Sequence, residues 1–233
     1  MQENDIVEPT VSAWNSPIIL VPKKDPDAKG QKQYRVCIDY RGLNAVVEPD
    51  RYPLPNIHDL LDKLNNAKYF TCMDLSQGYY QAELEEASRP MTAFVTPDGE
   101  HYQMTRMPMG LSTSPAAFMR MMNMALSGLV GAQCLVYIDD LIVFSKTAED
   151  HLTDLAMVFQ RLREVNLKIN PDKTYFMQES VVFLGFQVSA QGISVDPNKF
   201  ETIREYPTPR TKKQTERFVE LLPTVHPELC GEG

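Results

Sequence analysis

With 233 residues, 43% of them hydrophobic and 23% charged, the chain has the size and composition of one or two globular domains with a real core. No apolar run approaches the roughly 20 residues of a membrane span, and the opening MQENDIVEP lacks the basic and apolar regions of a secretory signal, so no membrane partner is expected. The net charge of −8 argues against a general polyanion binder, yet basic residues cluster at Lys23, Lys24, Lys29, Lys32, Arg35 and Arg41, and again at Arg204, Arg210, Lys212, Lys213 and Arg217.

Ser16–Val21 and Tyr34–Ile38 read as strands joined by a charged, turn-rich tip over 25–33. Pro53 and Pro55 break the chain before a helix over 56–66, with Ile57, Leu60, Leu61 and Leu64 as its apolar stripe. Tyr69–Met73 is a strand that ends on Asp74. Met91–Val95 and His101–Met104 bracket the hairpin signal Pro97-Asp98-Gly99. Ser114 as N-cap, with Pro115 first in the helix, opens a helix carrying Phe118, Met121, Met122, Ala125 and Leu129.

Cys134–Val136 and Leu141–Phe144 are strand-length aliphatic runs that form a hairpin with Asp139-Asp140 at or near its turn. Thr147 with Asp150 resembles a capping box for a helix bearing Leu152, Leu155, Val158, Phe159, Leu162 and Val165 on one face. Asn170–Lys173 is a turn in which Lys173 reads as a solvated lysine. Val181–Val188 is a strand, Ala190–Gly192 a turn, and Asp196-Pro197 caps a last helix through Ile203. The four cysteines (Cys37, Cys72, Cys134, Cys230) show no CxxC pairing and suit reduced thiols in an intracellular protein. Hairpins interleaved with helices require antiparallel pairing, so the fold class is α+β, an antiparallel sheet with helices packed on one face.

Adjacent carboxylates at a hairpin tip repel each other unless a cation lies between them. Taken alone, Asp139-Asp140 reads equally as a solvated turn, because aspartate is a good turn former. Asp74, at the end of another buried strand, shifts that balance. Three hard oxygen donors suit Mg²⁺, which is held by carboxylates together with substrate phosphates.

YIDD (137–140), MDLSQGYYQ (73–81), TAFVTPDGEHYQMTRMPMGLSTSPAAF (92–118) and FLGFQVS (183–189) stand in an order that resembles the reverse transcriptase of gypsy-class LTR retrotransposons and of retroviruses, from about Ser16 to about Pro209. The resemblance implies a right-hand polymerase with fingers at 1–50 and 82–112, palm at 51–81 and 113–194, and the start of a truncated thumb at 195–233. It implies an RNA-dependent DNA polymerase core that adds deoxynucleotides to a primer 3′-hydroxyl with two Mg²⁺ ions, for which Mn²⁺ substitutes. Asp74, Asp139 and Asp140 are its catalytic metal ligands, and the main-chain carbonyl of Leu75 completes one shell. Lys23 and Arg35 would close on the triphosphate, Tyr79 would lie under the sugar, and Met109 and Gly110 would line base and sugar. Phe183, Leu184 and Gly185 resemble a primer grip, and Lys173 is a weak candidate for protonating pyrophosphate, behind the solvated turn lysine.

The implied partners are an RNA or DNA template with its primer, a deoxynucleoside triphosphate, and the remaining Pol segments (thumb, connection, RNase H, integrase) or a second subunit. The implied location is a cytoplasmic retroelement particle, with nuclear presence. Asp39 and Arg41 suit a structural ion pair and a template contact equally. Met109 stands where the family more often has an aromatic residue or glutamine, and the sequence after Phe218 departs from the usual pattern. Two rival readings stand beside this one. A truncated or repurposed remnant binding nucleic acid or protein without catalysis would suit the acidic net charge. A two-metal nuclease would leave Tyr79 and the 107–118 block without a role.

Overall fold

The computed structural model describes residues 5–22, 31–196 and 207–216. Lys23 and the helix expected through Ile203 lie outside the described residues, as does most of the segment expected to begin a thumb. In chain order the strands and helices are β1 (Val7–Pro9), β2 (Ile18–Pro22), β3 (Tyr34–Ile38), α1 (Arg41–Asn44), α2 (Ile57–Lys63), β4 (Tyr69–Asp74), α3 (Gly78–Gln81), β5 (Phe94–Val95), β6 (His101–Met104), α4 (Ser114–Ala125), β7 (Cys134–Tyr137), β8 (Asp140–Ser145), α5 (Ala148–Glu164), β9 (Tyr175–Gln178), β10 (Ser180–Phe183), β11 (Phe186–Ser189) and β12 (Gly192–Val195). Every ladder among these strands is antiparallel, so the α+β class expected from the sequence is the class observed. The chain divides into two compact units, each built from two separate stretches: 1–54 with 76–124, and 55–75 with 125–233.

In the first unit β1, β6 and β5 form a three-stranded sheet around a small core of Ile6, Val7, Phe94 and Met104. β2 and β3 pair as a two-stranded ribbon whose Leu20 and Val36, direct partners, are both exposed. Within α4, Ser114 does not cap. Its buried hydroxyl donates to the Pro108 carbonyl at 2.9 Å, and the first helical bond comes from Ala117 N–H to the Thr113 carbonyl. The start of the helix is thus shifted one residue from the sequence expectation, with Ser114 tying the preceding loop to it.

In the second unit the sheet order is β7-β8-β4-β9. Alternation along β4 separates two faces: Phe70, Cys72 and Asp74 point one way, Thr71 and Met73 the other. On the first face Phe70 and Ile142 pack with Leu60 and Leu61 of α2, with Leu64 just after it, and with Val181, Phe183 and Val188. α2 is started by Asn56, whose side chain accepts from His58 N–H. On the second face lies α5, begun by Thr147, whose hydroxyl accepts from Asp150 N–H. The buried stripe of α5 is His151, Leu155, Val158 and Leu162, while Leu152 and Val165 are exposed, so the apolar face expected for this helix is rotated toward a polar residue.

The single strand expected over 181–188 is instead the β10–β11 hairpin. Leu184 and Gly185 form its two-residue turn with φ of 52° and 80°. Two positive-φ residues give the turn whose twist matches antiparallel strands, and it lets Val181 and Val188 face the same core. Cys37, Cys72 and Cys134 are free, and burial pushes the thiols of Cys72 and Cys134 up to about 12, so both stay protonated. Among the described residues no helix is long and apolar enough to cross a membrane.

Candidate functional site

β4 ends on Asp74 and β8 begins on Asp140, and the two are direct partners across the antiparallel ladder. Direct partners share a face, with Cα atoms about 4.5–5.5 Å apart, so both carboxylates leave the sheet on the same side. Tyr137 pairs with Asp140 to close the β7–β8 hairpin, which makes Ile138 and Asp139 the turn residues. Ile138 takes φ of 54°, a conformation that a β-branched residue rarely adopts and that clusters at functional sites. Leu75 N–H donates to the Asp139 carbonyl at 3.3 Å, and Asn170 N–H donates to the Asp74 carbonyl at 2.8 Å. Main-chain bonds therefore hold the segments bearing Asp74 and Asp139 together before any side chain takes part.

The electrostatics are those of a site short of positive charge. Burial pushes the Asp139 and Asp140 carboxyls up from their ordinary value, the negative charge of Asp74 pushes them further, and Asp140 adds to the effect on Asp139. Asp139 Oδ1 is buried with no hydrogen-bond partner. An orphaned, desolvated carboxylate oxygen beside two further carboxylates fits a cation, and all-oxygen donors fit a hard divalent one. Among the described residues, however, no group of three or more His, Cys, Asp and Glu side chains is arranged to hold a metal ion as it stands.

Lys173 supplies the positive charge. Its Nζ lies 2.6 Å from Asp74 Oδ2, and the bond to Asp74 raises its own pKa from the ordinary value. The turn that carries it is built for the position: the Asn170 side chain accepts from Asp172 N–H, and the Asn170 carbonyl accepts from Lys173 N–H. The solvated turn lysine of the sequence reading is therefore corrected to an ion-paired one. Beside the pair a cavity of about 340 Å³ is lined by Cys72, Asp74, Asp140, Lys173, Phe183 and Leu184. It brings two residues of the expected primer grip to the same pocket as two of the carboxylates; Gly185 follows them in the turn.

The remaining expected residues belong to the other unit. Tyr79 lies on α3 with its ring tilted against Phe118, centroids 5.1 Å apart. Met109 is exposed, and Gly110 adopts φ of 93°, so a side chain there would be strained. Asn44, which the sequence reading passed over, pins this loop: its Nδ2 donates to the Gly110 carbonyl and its Oδ1 accepts from Ser112 N–H, both at 2.9 Å. Its only signal in the sequence is a polar residue ending a short helix. Arg35 is exposed on β3 opposite Val21. Asp39 and Arg41 form an ion pair in which only the Arg41 side chain is exposed, and the guanidinium holds the Asp39 carboxyl down at about 2.

A family model described as reverse transcriptase (RNA-dependent DNA polymerase) matches residues 21–188, well over half of the chain. The chain belongs to the reverse transcriptase family. It is 44% identical over 219 residues to the retrovirus-related Pol polyprotein from transposon opus of Drosophila melanogaster, covering 94% of this chain and 22% of that protein. To the corresponding polyprotein from transposon gypsy it is 39% identical over 219 residues, 94% of this chain and 21% of that one. The chain thus spans about a fifth of the length of these curated relatives. Among solved structures, the foamy viral protease–reverse transcriptase in complex with double-stranded DNA matches with a TM-score of 0.85 at 29% identity, over 95% of this chain and 38% of that one. The same enzyme in complex with an RNA/DNA hybrid matches with a TM-score of 0.84 at 28% identity, over 95% of this chain and 29% of that one. Reverse transcriptases generally use divalent metals.

Proposed function

We propose that this chain is the polymerising core of a retroelement reverse transcriptase, joining a deoxynucleotide to a primer 3′-hydroxyl on an RNA or DNA template. The observation that carries the reading is the register of Asp74 against Asp140, with the buried, unpartnered Oδ1 of Asp139 beside them. In this reading the fingers are 1–50 and 82–112, the palm is 51–81 and 113–194, and a thumb starts at 195–233. Asp74, Asp139 and Asp140, with the Leu75 carbonyl, would hold two Mg²⁺ ions. Bound there, such ions lower the pKa of the attacking hydroxyl and balance charge on the triphosphate.

The chain's own residues would do the positioning on which phosphoryl transfer chiefly depends. The β7–β8 turn fixes the carboxylates on one side of the sheet. Arg35 and Lys23 neutralise the triphosphate, Met109 and Gly110 line the base and sugar, and Phe183, Leu184 and Gly185 steady the primer end. The partners would be a primed template, a deoxynucleoside triphosphate and further Pol segments or a second subunit, within a cytoplasmic particle that reaches the nucleus. Primer extension with Mg²⁺ on RNA and on DNA templates tests the reading. Extension on both is the expected result; no product on either, from folded protein, would overturn it.

Tyr79 would act by exclusion. Its ring is seated on Phe118, and a rigid ring under the sugar leaves no room for a 2′-hydroxyl. Tyr79→Ala should raise ribonucleotide incorporation relative to deoxynucleotide by on the order of a hundredfold, the worth of a steric block of a few kcal/mol. Single-nucleotide kinetics check this, and an unchanged ratio would return Tyr79 to a packing role.

A further inference from the structure

We propose that Lys173 is a built-in counter-ion that competes with a divalent cation for Asp74, so that metal binding and release of the lysine are one coupled event. The inference rests on the metal-binding reading of the carboxylates given above. Its own ground is geometric. Lys173 Nζ lies 2.6 Å from Asp74 Oδ2, closer than most ammonium–carboxylate contacts. An ammonium in that position takes the carboxylate lone pairs that a metal–oxygen bond of about 2.1 Å would need. It is placed by main chain, through Asn170 N–H to the Asp74 carbonyl and Lys173 N–H to the Asn170 carbonyl. The turn cannot drift from β4 without breaking the Asn170–Asp74 bond, but the lysine stem can swing: the Lys173 side chain is 63% exposed against 29% for Asp74. The anchored main chain and mobile head make a contact that forms readily and breaks at small cost.

The size of the effect follows from that exposure. A solvated ion pair is weak, so closing it lowers apparent metal affinity only modestly, by the fraction of molecules in which Asp74 is free. By reciprocity a divalent ion that binds Asp74 must expel the ammonium by the same factor. The carboxylates are then never left without a counter-charge: Lys173 holds the tip together when the cation is out, and leaves when it enters.

Mn²⁺ binding, measured by electron paramagnetic resonance on the full chain, tests this with Lys173→Gln and Asp74→Asn. Lys173→Gln should bind Mn²⁺ about two- to fivefold more tightly, and Asp74→Asn should bind it weakly. In parallel, amine labelling of the wild type followed by mass spectrometry should show Lys173 more reactive in Mg²⁺ than in chelator. Unchanged or weaker Mn²⁺ affinity in Lys173→Gln, with binding lost in Asp74→Asn, overturns the competition and leaves the metal site standing. Equal Mn²⁺ binding by wild type and Asp74→Asn overturns the metal site and the competition with it. Labelling of Lys173 that ignores Mg²⁺ also overturns the competition.

Discussion

Asp139→Asn should slow primer extension by roughly a hundred- to a thousandfold, the loss that follows removal of one preorganised electrostatic contact to the reacting groups, while the folded protein becomes more resistant to heat. The two effects have one cause. Asp139 is half-buried, its Oδ1 lacks a partner, and Asp74 and Asp140 press negative charge on it. A carboxyl whose pKa is raised in the fold stabilises the protein fully only below its unfolded value of 3.8, and that contribution is lost as pH rises through the folded value. At neutral pH the charged group works against the fold, and an uncharged amide of the same shape relieves it. Single-turnover extension and thermal unfolding with and without Mg²⁺ check both halves. In chelator the variant should melt above the wild type, and Mg²⁺ should raise the wild type more than the variant. A variant that keeps its rate, or melts lower in chelator, would remove Asp139 from the site.

Much of this site was legible because its strands are strongly aliphatic. Cys134–Val136 and Leu141–Phe144 can be little else, and two acids between such runs must lie at an exposed end. Their meeting with Asp74 was inferred from an acid that ends another buried strand, with the resemblance added to it, and the ladder register provides the physical form of that inference. The Leu184–Gly185 turn was hidden for the opposite reason. A run as apolar as Val181–Val188 reads as one strand, and only Gly185 hints that the chain reverses inside it. The turn is affordable because the residues on both sides of it bury side chains against α2.

Lys173 was unreadable for a different reason. The ion pair spans 99 positions, and no local pattern reports a partner that far away. A lysine in an Asn-Pro-Asp-Lys turn looks solvated until the Asn170–Asp74 main-chain bond places it. The α5 stripe failed for a third reason. Apolar spacing pointed to Leu152 and Val165, but the helix turns a histidine inward because polar partners on β4 and β8 are waiting for it. A hydropathy pattern counts polar residues as outward-facing, so a satisfied buried one always rotates the inferred face.

That histidine carries the second large effect. His151 is fully buried, with Nε2 2.8 Å from Thr71 Oγ1 and Nδ1 3.0 Å from Ser145 Oγ. Ser145 donates its one proton to Asp154 Oδ2 at 2.7 Å, so it must accept from His151 Nδ1–H. Thr71 then donates to the bare Nε2 while accepting from Met177 N–H at 3.2 Å. With a neutral ring every side-chain proton in the chain from Thr71 to Asp154 is donated. Burial lowers the pKa of His151 from its ordinary 6.5, with Asp154 opposing. A base whose pKa falls on folding stabilises the fold fully above its unfolded value, and that stability is lost as pH falls below about 6.5, with a slope of at most about 1.4 kcal/mol per unit. His151→Leu leaves the buried Thr71 hydroxyl without its acceptor and should cost about 1–3 kcal/mol at pH 7.5. Asp139 and Asp140 push stability the other way as pH falls, so the decisive quantity is the difference between variant and wild type. Urea unfolding at pH 7.5 and at pH 5 should show that difference shrinking at the lower pH, as the wild type loses what the leucine variant never had. A constant difference would mean that the ring takes up its proton over the same pH range in the folded and the unfolded protein, and would undo the neutral chain from Thr71 to Asp154.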